Sequence, residues 1–167
     1  MENDNVLYKG WLELVERKID GRRSEIVKLK PAVAALIYNN DDILLVKQFR
    51  SSIKQEIWEI PAGMMDVDGE NPCDCLAREL KEEADVEIDP NTLVKLVSYY
   101  PAVGCLNHNI TIFKAEVVDR HYDNKLINDA DVTEAKWFNF KDVFSMIKEG
   151  QIIDEKTIIG FTTYMTM

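Results

Sequence analysis

The sequence predicts an α/β fold: a mixed β-sheet with helices on its faces, preceded by an antiparallel strand extension. Three observations support this. Runs rich in β-branched and aromatic residues, separated by turn residues, fill the first third of the chain and recur after the middle. Helix-period stretches lie in the middle and at the end. The 167 residues suffice for one domain with a well-buried core.

The elements follow in order. Residues 6–17 and 25–29 read as two strands joined by a turn near Asp20-Gly21. Pro31 marks the entry to the main domain, so that residues 1–30 form the extension and residues 31–167 the domain proper. Residues 32–38 and 43–48 are β-rich runs separated by Asn39-Asn40-Asp41-Asp42, a strong hairpin signal. A short strand is expected over 56–61. Further strands are expected over 93–100 and 110–117, with a loop over 101–109 between them. A polar loop follows over 119–133, then a strand over 134–140 and helices over 141–149 and 154–165. Gly160 weakens the middle of the last helix. No internal repeat or low-complexity segment is present.

The most informative segment is 69–86, GENPCDCLARELKEEADV. Asn71 is a good N-cap and Pro72 falls at the first helical position, where its missing N–H costs nothing. Asp74 favours the first turn. Leu76, Ala77, Leu80 and Ala84 make an apolar stripe. Glu79 stands three residues before Glu82 and four before Glu83, so a helix is expected to gather the three carboxylates on one face. Like charges at those spacings repel by about a few tenths of a kcal/mol per pair. A hard divalent cation relieves that repulsion, and carboxylate oxygens are the ligands that Mg²⁺ or Mn²⁺ prefers. Arg78 lies four residues before Glu82 and offsets part of the charge. The bland alternative, a solvated glutamate-rich helix, is weakened by what surrounds the segment.

Those surroundings are Trp58-Glu59-Ile60-Pro61-Ala62-Gly63, a loop to Glu70, and the helix. Together they resemble the Nudix box. Gly63, Glu70, Arg78, Glu79, Leu80, Glu82, Glu83 and Val86 match its pattern. Two positions depart from it. Six residues rather than five separate Gly63 from Glu70, and Asp85 stands where the family has glycine. Neither touches a carboxylate, and a one-residue insertion is tolerated in a loop. Gln48-Phe49-Arg50, Pro101 and residues 150–157 extend the resemblance to the ADP-ribose pyrophosphatase branch.

The resemblance implies a Nudix α/β/α sandwich and a catalytic domain over 31–167. It implies Mg²⁺ or Mn²⁺ bound by Glu79, Glu82, Glu83 and the backbone carbonyl of Ala62. Gly63, Glu70 and Arg78 then form the structural part of the box, and the N-terminal strands help build a homodimer. Arg50 is a candidate for a phosphate contact through its planar fork. Its alternative is a surface arginine. The branch also implies a catalytic glutamate in the 119–133 loop, where this chain has none. Asp129 and Asp131 are the nearest acids, and Asp129 is the candidate base beside Glu82 and Glu83. His108 stands where the branch tends to place a glutamate near the substrate, and its ordinary pKa of about 6.5 suits proton transfer. Each of these is, in isolation, an ordinary loop residue. Trp11, Tyr8 and Trp58 are candidates for stacking on a base, against core or interface packing. Glu59 is a candidate for ribose or base, against a structural role.

The expected activity is metal-dependent hydrolysis of the diphosphate in ADP-ribose or a related nucleoside-diphosphate sugar. A house-cleaning nucleoside triphosphate pyrophosphatase is the enzymatic alternative. A non-catalytic nucleotide-sensing module is the other. The net charge of −10 argues against nonspecific nucleic-acid binding, which relies on Lys and Arg. It leaves a nucleotide substrate possible, because a cation supplies positive charge locally. Cys73, Cys75 and Cys105 are odd in number and lack zinc spacing, so reduced thiols are expected. The N-terminus shows no signal peptide and no apolar run has membrane-spanning length. A cytoplasmic location and no membrane partner are expected.

Overall fold

The computed structural model of the protein describes residues 4–118 and 132–167. Its N-terminal part is a four-stranded sheet built on β1 (Asn5–Lys9), β2 (Glu13–Ile19) and β3 (Arg22–Lys28). The single strand expected over 6–17 is thus two antiparallel strands. The reversal falls at Gly10, whose N–H donates to the Leu12 carbonyl at 2.9 Å. A Cβ at Gly10 would meet the Tyr8 ring, so glycine lets that exposed ring lie over the turn. The second turn falls where expected, with Asp20 and Gly21 both at positive φ (49° and 79°).

The main sheet has seven strands. The central ones are β4 (Ala32–Asn39) and β5 (Asp42–Arg50), joined by the Asn40-Asp41 turn. β6 (Gln55–Glu59) pairs with β5, and β7 (Ala62–Met64) pairs with β4. After β8 (Val94–Tyr99), the short β9 (Leu106–Asn107) pairs in parallel with β3 and ties the N-terminal sheet to the domain. β10 (Ile110–Glu116) lies parallel to β4 and antiparallel to β8. β11 (Val132–Asn139) pairs antiparallel with β5. The sheet is mixed, as expected. β7 and β9 are too short to show periodicity and were not foreseen.

Alternation along β4 divides the core. Val33, Ala35 and Ile37 face one side and pack with Cys75, Leu76, Leu80 and Ala84 of α1 (Pro72–Ala84). Ala34 and Leu36 face the other and share a cluster with Val143 of α2 (Phe140–Lys148) and Phe161 of α3 (Glu155–Met165). The result is the expected α/β/α sandwich. Gly160 is buried beside Ile60 and Ile112, so packing keeps α3 whole despite the glycine. The Asn71 side chain accepts from the N–H groups of Cys73 and Asp74 at 2.9 and 3.0 Å. α1 ends at Asp85 in the left-handed conformation (φ 54°), and the Val86 N–H closes the turn on the Leu80 carbonyl at 3.0 Å. No helix among the described residues is long and apolar enough to cross a membrane.

Candidate active site

β7 and α1 meet at the box. A Cβ at Gly63 would overlap the Glu79 carboxyl, so glycine is what lets this carboxylate approach the strand. The N–H of Ala62 donates to Glu83 at 3.0 Å. Glu83 is buried, only 6% exposed, and its carboxyl pKa is pushed up to about 8. Burial is the main cause, and the Glu79 charge adds to it, while the Ala62 hydrogen bond and the Lys156 and Arg50 charges oppose it. Burial also raises Glu79, against the pull of Arg78.

Arg78 organises the other side. Its Nε and Nη2 each reach Glu70 at 3.2 Å, and its Nη1 reaches Glu79 at 2.8 Å and Glu82 at 3.3 Å. Hydrogen bonding to Arg78 holds Glu70 below the usual carboxylate range. Loop and helix are thereby clamped together.

The three glutamates differ in burial. Glu83 points into the interior, Glu79 lies at the edge of a cleft, and Glu82 is exposed and does not line the cleft. Consecutive helical residues point about 100° apart, and here that leaves Glu83 against the Ala62 N–H and Glu82 in solvent. Among the described residues no three acidic, histidine or cysteine side chains converge into a ready metal cage. The inward donors are nonetheless hard oxygens. Two carboxylates, Glu79 and Glu83, stand desolvated and mutually repelling at the Ala62–Gly63 backbone, and that donor chemistry fits a hard divalent cation.

The cleft has a volume of about 450 Å³. Glu79 and Glu83 line one wall; Arg50 and the start of α3 (Asp154, Lys156) line another. Arg50 binds Glu59 through Nε and Nη2, both at 2.6 Å. Lys156 binds the same Glu59 oxygen as Arg50 Nη2, and Asp154 at 2.8 Å. Asp154 caps α3 by accepting from the Thr157 N–H at 2.9 Å, and the Thr157 hydroxyl also donates to it at 2.5 Å. The Ile60 N–H donates to Thr157 Oγ1 at 2.8 Å, which fixes α3 to the box strand. Sequence reasoning placed Asp154, Lys156 and Thr157 within the resemblance but assigned none of them a role. Their signal is charge standing at the head of an otherwise apolar helix.

Of the two readings of Glu59, the structural role accords with its surroundings. Glu59 is 1% exposed with both oxygens paired to cations, and it lies behind the cleft wall rather than on it. Trp11 and His108 do line the cleft. Trp11 is 78% exposed there. His108 Nδ1 lies 2.7 Å from the Lys30 carbonyl oxygen, which only accepts, so Nδ1 donates there and Nε2 is left for another partner. Tyr8 does not line the cleft, and Trp58 packs edge-on against Phe138 with ring centroids 4.8 Å apart. Asp129 and Asp131 lie outside the described residues.

A strand-borne glycine against a helix carrying the clamped arginine and glutamates is the arrangement the box implies. The NUDIX domain model matches residues 28–160. The chain belongs to the NUDIX domain family. It is a Nudix hydrolase, similar to an ADP-ribose pyrophosphatase of Bacillus subtilis (strain 168), 30% identical over 152 residues that cover 90% of this chain and 80% of that one. It is also similar to a GDP-mannose pyrophosphatase of Yersinia enterocolitica, 32% identical over 136 residues, 74% of this chain and 68% of that one. Among solved structures, an "ADP compounds hydrolase" superposes with a TM-score of 0.76 at 15% identity, covering 98% of this chain and 90% of the other; that likeness speaks for the fold.

Proposed function

We propose that this Nudix hydrolase cleaves the diphosphate of ADP-ribose or a related nucleoside-diphosphate sugar, giving a nucleoside monophosphate and a sugar phosphate. The observation that carries the reading is the pair of desolvated carboxylates, Glu79 and Glu83, facing Arg50 and Lys156 across one cleft. Glu79 and Glu83, with the Ala62 carbonyl, hold the cation, Mg²⁺ or Mn²⁺; Glu82 completes the acidic set from outside. A bound divalent cation neutralises phosphate charge and makes a water nucleophilic near neutral pH. Gly63 and the Arg78–Glu70 clamp keep Glu79 in place. Arg50 has two of its nitrogens on Glu59, which orients the guanidinium for a phosphate oxygen. His108 Nε2 accepts from a hydroxyl or amino group of the substrate, and Trp11 covers the base. Asp129 remains the candidate base, with Glu82 or Glu83 as alternatives.

The names of the pyrophosphatases similar to this chain support the substrate class. The apolar side chains exposed on and beside β1 (Val6, Leu7, Tyr8) support a homodimer through the N-terminal sheet, to be checked by sedimentation. The free thiols of Cys73, Cys75 and Cys105 accord with a cytoplasmic location.

The deciding experiment is turnover of ADP-ribose, GDP-mannose, dinucleotides and nucleoside triphosphates with Mg²⁺ or Mn²⁺. AMP and ribose 5-phosphate from ADP-ribose, or the matching products from GDP-mannose, are expected. Preferred hydrolysis of triphosphates would overturn the substrate class, and binding without turnover would leave a sensing module.

A further inference from the structure

The cleft holds four acids, Glu79, Glu83, Asp154 and Glu155, but among the described residues only two cations, Arg50 and Lys156. An anionic diphosphate entering it meets a negative field that two side chains must offset. Arg50 belongs to the sequence pattern read above as a phosphate contact. Lys156 does not; it is a buried lysine, 7% exposed, at the head of α3.

A buried ammonium needs partners, and Lys156 has two: Glu59 and Asp154. An ammonium carries three N–H donors, so these carboxylates leave one. Lys156 borders the cleft, whereas Glu59 lies behind it. The remaining donor therefore has the cleft to serve. Tethering α3 does not require this lysine. Asp154 already caps the helix through Thr157, and Thr157 already binds the Ile60 N–H. Glu59 likewise keeps Arg50 without it.

Building on the diphosphate-sugar reading, we propose that Lys156 is a substrate-binding residue, donating its third N–H to a phosphate oxygen alongside Arg50. Asp154 then sets its strength. Held 2.8 Å from the ammonium, this carboxylate competes with the incoming phosphate. Lys156 is thus a contact whose attraction for phosphate the protein itself tempers.

The test uses the full chain with Lys156→Met and Asp154→Asn. Asparagine is as good an N-cap as aspartate, so Asp154→Asn keeps α3 capped while removing the competing charge. On the substrate that the turnover panel identifies, Lys156→Met should raise KM about tenfold or more with kcat within about threefold. Asp154→Asn should lower KM, and an unchanged KM would overturn the tempering role of Asp154. A purely structural tether predicts that both variants lose activity and thermal stability together; a KM rise in Asp154→Asn matching that of Lys156→Met would overturn the proposal. Calorimetric binding of ADP-ribose in the presence of chelator separates this from the functional reading. If no substrate turns over, the functional reading fails. Lys156 still stands if wild type binds ADP-ribose more tightly than Lys156→Met, and falls if the affinities are equal or wild type does not bind.

Discussion

The backbone N–H of Ala62 donates to the carboxylate of Glu83 across 3.0 Å, joining the residue before the box glycine to the last glutamate of the box. A strand three residues long is thereby locked to the inward face of the helix, through a residue 21 positions further on. Glu83 retains one neutral donor but sits in a site too dry for its charge, which a cation would relieve.

Glu83→Gln should therefore separate function from stability. Glutamine still accepts from Ala62, so the fold is kept. Hydrolysis should fall by about 100-fold or more, because a charged oxygen donor is lost. With chelator present the variant should be more stable than wild type. The folded pKa, about 8, exceeds the ordinary 4.5, so between these values the unfolded chain has released a proton that the folded protein retains. Wild-type stability falls across that window and levels off above it, by an amount on the order of 5 kcal/mol. Urea unfolding at pH 4.5 and pH 8.5 should show the gap between variant and wild type widening with pH; a constant gap would contradict the burial of this charge.

Gly63→Ala should impair turnover with little loss of stability. The new methyl group meets the end of the Glu79 side chain, which can swing away. Turnover should drop about tenfold or more from so displaced a carboxylate, with unfolding free energy within about 1 kcal/mol of wild type. A wild-type rate would mean that Glu79 does not need its present position.

Glu59→Gln should destabilise the protein by about 3 kcal/mol. It leaves Arg50 and Lys156 facing one neutral amide in place of a carboxylate that is 1% exposed. Denaturant midpoints measure this directly; an unchanged midpoint would show that the two cations find other partners.

Asp85→Gly should stabilise the helix end by about 0.5–1 kcal/mol. Asp85 is held at φ 54°, where a Cβ is unfavourable. The substitution also removes the partly exposed Lys81–Asp85 pair at 2.7 Å, whose worth is small. Thermal unfolding is the check, and a lowered midpoint would mean that the ion pair outweighs the backbone strain.

Local chemistry wrote much of this molecule into its sequence. Asn71 and Pro72 announced where α1 begins, Asp20-Gly21 and Asn40-Asp41 announced hairpins, and the spacing of Gly63, Glu70, Arg78 and the glutamates announced the box, because caps, turns and helical periodicity depend on neighbours a few residues apart. What escaped depended on distant partners. β7 and β9 exist only because β4 and β3 lie beside them. Which box glutamate is buried was settled by the strand that α1 packs on, which turned Glu83 inward and left Glu82 in solvent. The Arg50–Glu59–Lys156–Asp154 chain joins residues up to 106 positions apart, with Glu59 and Lys156 separated by 97. No local pattern encodes such pairing. The sequence by itself determined the reaction family and the acidic residues available to it. Only the tertiary structure decided which of those charges are desolvated, and a desolvated carboxylate is one that a nearby cation stabilises most.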